Sequence, residues 1–431
     1  MYNQKYMEIR NVFIETYGCS ANLNNTEIIK GLIKQAGLEL VNNEEIADII
    51  IINSCIVKSP TENKIKARLI NLEKLNKPII LTGCMPDVRK PEGKNLYLLS
   101  NHQIKNISKL IKKIIDSNYN EKEFLITKPE IKLNLAKSNE IKKIGITQIL
   151  EGCLGECSYC ITRFAKGKLF SYPEEEIIKN IETDLKQGCK EIWITSQDNA
   201  SYNLDNKKHD LPKLLNKILA LNYNFRLRLG MMNPNNILPI LDELIEIYKN
   251  EKMYQYLHIP VQSASNKILK DMNRYYKVED FLKIIKKFKK EIPSITIATD
   301  IIVAYPEESE KDFQETFSLI EEIQPEQLNV SKFWPIKGTK AALLPQISAE
   351  VSKDRAGELM NLFNRIIKEK NEKLIDSVQS CLVYDSFNNN YLARTKSYKL
   401  VLVKSIKNIL GKLVKVRIVK QERNHLVGTL E

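Results

Sequence analysis

Apolar residues in the chain recur in two alternating rhythms. Short β-type runs give way to stretches with an apolar residue every third or fourth position. Near the N-terminus, 12–16 reads as a strand and 25–36 as a helix that closes at Gly37, a helix C-cap residue. Residues 48–52 follow as a buried strand, 59–75 as a basic helix, 78–82 as a third strand and 104–115 as a closing helix. Such alternation predicts a parallel sheet covered by helices. Residues 117–143 are charged and weakly periodic, and read as a linker.

A longer series of six strand–helix units comes next. Its strands are 144–150, 191–195, 225–229, 256–259, 295–303 and 327–333, and its helices 173–187, 211–221, 237–249, 278–290 and 310–323. Six units are too few for an eight-stranded barrel and too many for one mononucleotide-binding half, so a three-quarter barrel is the economical expectation. A last helix, 349–377, leads into short β runs at 381–384, 400–403 and 413–419, separated by Asn and Gly. That texture predicts a small β-barrel of the OB-fold kind.

Composition narrows the function classes. The 431 residues are 43% hydrophobic and 28% charged, which excludes wholesale disorder. The longest apolar run, the isoleucines 49–52, ends at Asn53, so no membrane span is expected. The first residues lack an apolar stretch and a cleavage site, which points to an intracellular, cytoplasmic protein. The net charge is +13, and ten basic residues (Arg394, Lys396, Lys399, Lys404, Lys407, Lys412, Lys415, Arg417, Lys420, Arg423) face one acid, Glu422, between Tyr391 and Arg423. Tyr391 and Tyr398 lie among these charges, so the C-terminal module is expected to contact RNA by phosphate neutralisation and stacking. The alternative is a solvated strand face.

Eight cysteines in a reducing compartment argue for metal or redox work, and the four histidines, at 102, 209, 258 and 425, are scattered. Cys153, Cys157 and Cys160 form a Cx3Cx2C loop just after the first strand of the six-unit series. Three thiolates so spaced can hold three irons of a cubane cluster and leave the fourth open to an outside ligand. A zinc knuckle is the alternative, but it needs a fourth ligand, and no histidine lies within forty residues. Cys19, Cys55 and Cys84 are far apart in sequence, yet each follows a predicted strand of the first domain. In a parallel sheet those strand ends share one edge, where ligand sites form, so the three are expected to converge as a second cluster site. The alternative for each is a small buried residue at a strand end. Cys189 and Cys381 read as packing residues, and His258 as either a barrel-mouth or an interior structural residue.

Cys153-Leu154-Gly155-Glu156-Cys157-Ser158-Tyr159-Cys160 resembles the cluster loop of the radical S-adenosylmethionine (SAM) enzymes. Further stretches resemble their methylthiotransferase branch: 15–22 (ETYGCSAN), 53–62 (NSCIVKSPTE), 82–86 (TGCMP), 230–234 (GMMNP) and 258–263 (HIPVQS). Within it, the chain is most similar to the archaeal and eukaryotic enzymes acting on N6-threonylcarbamoyladenosine in tRNA. The resemblance implies a methylthiotransferase domain at 7–116, a linker at 117–143, a radical SAM core at 144–370 and a TRAM-like RNA-binding domain at 371–431. It implies two [4Fe-4S] clusters. SAM would bind the open iron at Cys153, Cys157 and Cys160 and be cleaved to a radical, and the cluster on Cys19, Cys55 and Cys84 would carry the sulfur. SAM would serve as methyl donor and radical source, with the methylthio group delivered to C2 of the adenosine beside the anticodon. The anticodon stem-loop of tRNA, an external electron donor and a sulfur source are the implied partners, with no membrane. By position, Tyr159, Ser196, Gln197, Asp198, Arg228, Gln262 and Ser263 are candidate SAM-pocket residues.

Some positions depart from the family pattern. Ala304-Tyr305-Pro306-Glu307-Glu308 stands for the usual Gly-Phe-Pro-Gly-Glu, and losing two glycines is expected to tighten a loop near SAM. Ala165-Lys166-Gly167 stands for Ala-Arg-Gly, which keeps the charge but loses a bidentate donor. The competing readings are the same reaction on N6-isopentenyladenosine and a non-catalytic iron–sulfur RNA-binding protein.

Overall fold

The computed structural model describes residues 10–115, 123–124, 128–139, 141, 143–388, 390–422 and 425–431. Contacts divide it into two units. One holds the described residues up to 139 with Glu151–Cys153 and Cys160–Tyr172; the other holds Ile141–Leu150, Leu154–Tyr159 and Pro173–Glu431. Among the described residues, no helix is long and apolar enough to cross a membrane.

The first unit is built on six parallel strands in the order Glu39–Val41, Asn11–Thr16, Ile49–Ser54, Ile79–Gly83, Leu96–Leu99, Glu123–Phe124. Ile49 to Ile52 are fully buried near its middle, as a sheet covered on both faces demands. Ile28, Ile29 and Ile33 of helix Ser20–Gln35 pack with Ile107, Leu110 and Ile111 of helix Ile107–Ile115 against Val12, Ile49, Ile51 and Ile80. The first helix starts five residues earlier than its apolar spacing predicts. Its first turns are rich in Asn, a loop signal, but Asn22 donates to the carbonyls of Tyr17 (2.7 Å) and Ser54 (2.9 Å), and Asn53 donates to Asn22 O (2.7 Å). Tertiary hydrogen bonds thus override local preference. The strands Glu39–Val41, Leu96–Leu99 and Glu123–Phe124 escaped prediction because they are too short for a period to show.

Much of the predicted linker 117–143 lies outside the described residues. Its described part is bound to the first unit: Lys132 and Leu133 are buried, and Ser138 N donates to Glu27 O (2.9 Å). A Cβ at Gly31 would meet the Ala136 backbone at 2.3 Å, so glycine there permits the strap to lie close.

In the second unit, the six predicted strands form two parallel three-stranded halves. One has the order Arg226–Leu229, Glu191–Thr195, Ile144–Gln148; the other has Tyr256–His258, Thr296–Val303, Gln327–Lys332. A parallel bridge between Leu227 and Met253 links them, which makes the expected partial barrel. The predicted helix 237–249 is broken into Pro234–Ile237, a 3-10 turn Leu238–Ile240 and Leu241–Tyr248, because Pro239 lacks an N–H. The C-terminal strands Val378–Phe387, Asn390–Thr395, Leu400–Lys404, Leu426–Leu430 and Leu413–Gln421 close a barrel in that order.

The small barrel inserts two residues into the floor of the partial barrel. Arg394 Nε lies 3.1 Å from Glu191 Oε1, and its guanidinium stands over Tyr384 (4.2 Å), Tyr398 (4.4 Å) and Trp193 (5.6 Å). Tyr398 packs on Tyr254 (4.9 Å) and Tyr256 (4.6 Å). This corrects the expected stacking surface: Tyr398 is buried at this seam and Tyr391 in the core of the small barrel. Three of the ten basic residues are spent on contacts within the unit too. Besides Arg394, Lys396 donates to the carbonyls of Asn250 and Glu251, and Lys399 to Asn371 Oδ1. Arg423 lies outside the described residues, while Lys404, Lys407, Lys412 and Lys415 are exposed.

In the loop that departs from the family pattern, Ala304 and Glu307 both have positive φ (58° and 64°), a conformation that strains a residue other than glycine. Glu307 is exposed. Glu307→Gly is therefore expected to stabilise the protein by about 1 kcal/mol, read as a rise in the midpoint of urea unfolding.

Candidate functional site

Cys19, Cys55 and Cys84 meet at one edge of the first sheet. Cys55 and Cys84 follow neighbouring strands, with Cys84 N bonded to Ser54 O at 3.0 Å. Cys19 caps helix Ser20–Gln35. Gly18, at φ 107°, lets its turn close: a Cβ there would stand 2.8 Å from Cys55 Cβ and 3.0 Å from its sulfur. Burial pushes the Cys55 thiol up and the Cys84 thiol up to about 12; Lys166 partly offsets the latter, while the neighbouring cysteines add to it. Thiols so protonated are poor nucleophiles. They suit a metal ion that displaces the proton on binding. Among the described residues, no group of three or more His, Cys, Asp or Glu side chains is placed so that it could hold a metal ion without adjustment.

The Cys153–Cys160 loop is pinned at its centre. Ser158 N donates to Met272 O (3.1 Å), Ser158 Oγ to Asp271 O (2.9 Å), and Asn273 Nδ2 to Glu156 O (2.9 Å). The Tyr305 hydroxyl, where the family usually has Phe, reaches Ser158 Oγ (2.8 Å) and Asp271 O (2.9 Å). That departure adds a tie to the loop. Cys157 Sγ accepts from Arg274 Nη1 at 3.2 Å.

Just before this loop, Glu151 is fully buried and accepts from Lys132, Asn101 Nδ2 (3.1 Å) and His102 Nδ1 (3.1 Å). Burial alone would raise its carboxyl, but Lys132, His102 and Lys166 hold it well below the usual range. Lys166 bonds Asn101 Oδ1 and stands 3.9 Å from Glu151. Its charge acts on Cys84 and Cys55.

The predicted SAM residues divide. Ser196 Oγ and Gln197 Oε1, at the end of strand Glu191–Thr195, are buried without a hydrogen-bond partner among the described residues, as is Gln148 Oε1 at the end of Ile144–Gln148. Orphaned acceptors at barrel strand ends fit a bound polar ligand. Gln262, half-buried at φ 69°, is tied by its backbone to Asp300 O and Ile302 N. Tyr159 packs beside Met272, Tyr305 and Phe333. The others are engaged elsewhere. Asp198 is 1% exposed and accepts from Asn233 N (3.0 Å), Asn233 Nδ2 (2.9 Å), Asn236 Nδ2 (2.7 Å) and Ala200 N (3.2 Å). Ser263 is buried against Thr316. Arg228 stacks over Trp193, Tyr256 and Tyr398 as part of the seam. His258 is half-buried, with Nε2 2.7 Å from Asp300 Oδ2, whose other oxygen accepts from Asn329 (2.8 Å). Cys189 and Cys381 are buried packing residues, as expected.

Residues 147–320 match the radical SAM superfamily, and residues 11–100 match uncharacterized protein family UPF0004. A probable threonylcarbamoyladenosine tRNA methylthiotransferase of Pyrococcus horikoshii is 38% identical over 97% of this chain and 99% of its own. The threonylcarbamoyladenosine tRNA methylthiotransferase of Xenopus laevis is 35% identical over 97% of this chain and 76% of its own. The chain belongs to the threonylcarbamoyladenosine tRNA methylthiotransferase family. It is a radical SAM enzyme, and the family implies SAM and a [4Fe-4S] cluster. A solved structure of the radical SAM methyltransferase TsrM from Kitasatospora setae, with cobalamin and a [4Fe-4S] cluster bound, is similar in fold. Its TM-score is 0.56 at 12% identity, over 78% of this chain and 77% of that one.

Sequence reasoning about this methylthiotransferase family member missed Arg274, Tyr305, Glu151 and Lys132 as parts of the site. No local signal marks the first, since its partner Cys157 is 117 positions away. For Lys132, a lysine in a charged, weakly periodic stretch looks like any solvated residue.

Proposed function

We propose that this protein transfers a methylthio group to C2 of N6-threonylcarbamoyladenosine in tRNA, with SAM as methyl donor and radical source. The reading is carried by near-full-length identity to relatives named for that activity, over a chain that retains both cysteine trios. Cys153, Cys157 and Cys160 would hold the cluster that binds SAM, and Cys19, Cys55 and Cys84 a second [4Fe-4S] cluster. Adenine C2–H is neither acidic nor nucleophilic, and a SAM-binding cluster supplies the one-electron cleavage of SAM that such a position requires.

The protein's own residues bind, orient and exclude water. Ser158 and Tyr305 fix the loop that carries the first trio. Ser196, Gln197 and Gln148 offer unpaired acceptors to SAM, with Tyr159 and Gln262 beside the strand ends. Gly18 and the burial of Cys55 and Cys84 shape a site that favours metal over free thiolate. Lys404, Lys407, Lys412 and Lys415 form the phosphate-facing part of the small barrel. The target base must leave its stack to be reached.

Anaerobically purified protein is expected to carry about eight irons, four per cubane. Cys55→Ala should lose about half of them. It should still form 5′-deoxyadenosine from SAM while making no methylthio product. Wild-type iron content in that variant would show Cys55 to be structural. Nucleoside mass spectrometry of tRNA from a deletion strain tests the substrate: loss of the 2-methylthio group from another adenosine would overturn the assignment.

A further inference from the structure

Arg274 follows the short helix Asn266–Asp271, whose end also holds the centre of the cysteine loop. Each of its guanidinium nitrogens has a partner. Nη1 donates to Cys157 Sγ at 3.2 Å, Nη2 to Asn233 Oδ1, and Nε to the Tyr276 hydroxyl at 3.2 Å. The Tyr276 ring lies 4.9 Å below, and its hydroxyl donates to Val261 O (2.7 Å). Asn233 is in turn held by two bonds to the buried Asp198. The fork is thus aimed at the sulfur from behind by groups with no freedom to turn.

The charge is what makes this arrangement informative. Among the described residues, no carboxylate hydrogen-bonds Arg274; its partners are an amide, a phenol and a thiol. The half-buried guanidinium keeps its proton, and the buried Asp198 carboxylate, bonded to the same Asn233, acts on its charge from one side. A thiolate ligand at Cys157 would bring a second anion, in direct contact with Nη1. A cavity of about 240 Å³, lined by Leu154, Gly155, Cys157, Asn236, Arg274 and Tyr275, opens beside that sulfur.

We propose that Arg274 is a positioning residue that sets the reduction potential of the cluster on Cys153, Cys157 and Cys160, by a charged N–H···S hydrogen bond to Cys157. The inference rests on the reading that this trio holds the SAM-binding cluster. Reduction adds negative charge to the cluster, so a fixed cation bonded to one of its sulfurs stabilises the reduced form and raises the potential. Because the guanidinium stays protonated at every accessible pH, this contribution does not titrate away.

The test is an EPR-monitored redox titration of the full-length, anaerobically reconstituted protein. Arg274→Met is expected to keep its iron. At a fixed ambient potential, its ratio of reduced to oxidised first cluster should fall about tenfold, which is about 59 mV for a one-electron couple. Arg274→Lys, which keeps the charge but loses the fork, guards against misfolding of the Met variant and should shift in the same direction by less. Wild-type protein should show an exchangeable proton coupled to the reduced cluster that is lost from both variants on the same measurement. Wild-type potential and proton coupling in either folded variant would overturn the proposal. So would a normal potential with weakened SAM binding, which would make Arg274 a SAM contact. Failure of the cluster assignment looks different: the cluster's EPR signal would then persist in Cys157→Ala.

Discussion

Replacing Cys157 by alanine is expected to abolish both SAM cleavage and methylthio transfer, while the second cluster proposed on Cys19, Cys55 and Cys84 should remain. Two thiolates remain in the loop, and a cubane that has lost a protein ligand is neither held nor poised. The loss should be complete, because no residue nearby can replace a thiolate: Ser158 is bonded to Asp271 and Tyr305, and Tyr159 packs beside Met272. The loop itself should survive, since it loses only the Arg274 bond to the sulfur and keeps its ties through Glu156, Ser158 and Asn273. The measurement is 5′-deoxyadenosine formation with a chemical reductant, alongside iron content. Cleavage of SAM at wild-type rate by this variant would remove the cluster from the loop.

Arg394→Ala is expected to cost the second unit about 3–5 kcal/mol, the usual penalty for stranding one partner of a buried pair. The charge it leaves behind is Glu191, which is 0% exposed. Among the described residues, Glu191 retains only the Trp193 indole N–H and the Tyr254 hydroxyl as side-chain partners. The guanidinium also fills space between Trp193, Tyr384 and Tyr398, so truncation opens a cavity between stacked rings. Thermal unfolding should begin well below wild type, and pairing the change with Glu191→Gln should recover part of the loss. An unchanged unfolding midpoint for Arg394→Ala would show the seam to be incidental. The same contacts mean that removing everything after Ser377 would uncover the floor of the partial barrel. Effects on tRNA binding are therefore better sought by substituting the exposed Lys404, Lys407, Lys412 and Lys415.

Local rhythm sufficed for much of the fold. The run Ile49 to Ile52 could only be a strand buried on both faces, and the six strand–helix repeats allowed few closures other than a partial barrel. Gly37 was legible as a helix stop, and it has φ 79° where the helix ends. The cysteines were legible for a related reason. The 153–160 trio is close in sequence, and strand ends of a parallel sheet meet at one edge whatever the details of packing, so Cys19, Cys55 and Cys84 could be brought together on paper.

Direction and partnership were decided only by the folded chain. Nothing in the composition around Arg394 and Tyr398 separates a residue facing solvent from one plugging a barrel whose strand Glu191–Thr195 lies some two hundred positions earlier. Asp198 sits at a strand end, where ligands bind, yet four donors from Ala200, Asn233 and Asn236 use up its oxygens. Arg274 and Cys157 become neighbours because the helix Asn266–Asp271 ends against the cysteine loop. The sequence by itself determined which residue types could do cluster chemistry and the edges on which the strands would present them, because periodicity and connection rules are local. Which charges are buried, and what each one faces, was decided by the tertiary structure alone, because desolvation and pairing depend on neighbours that the chain brings from far away.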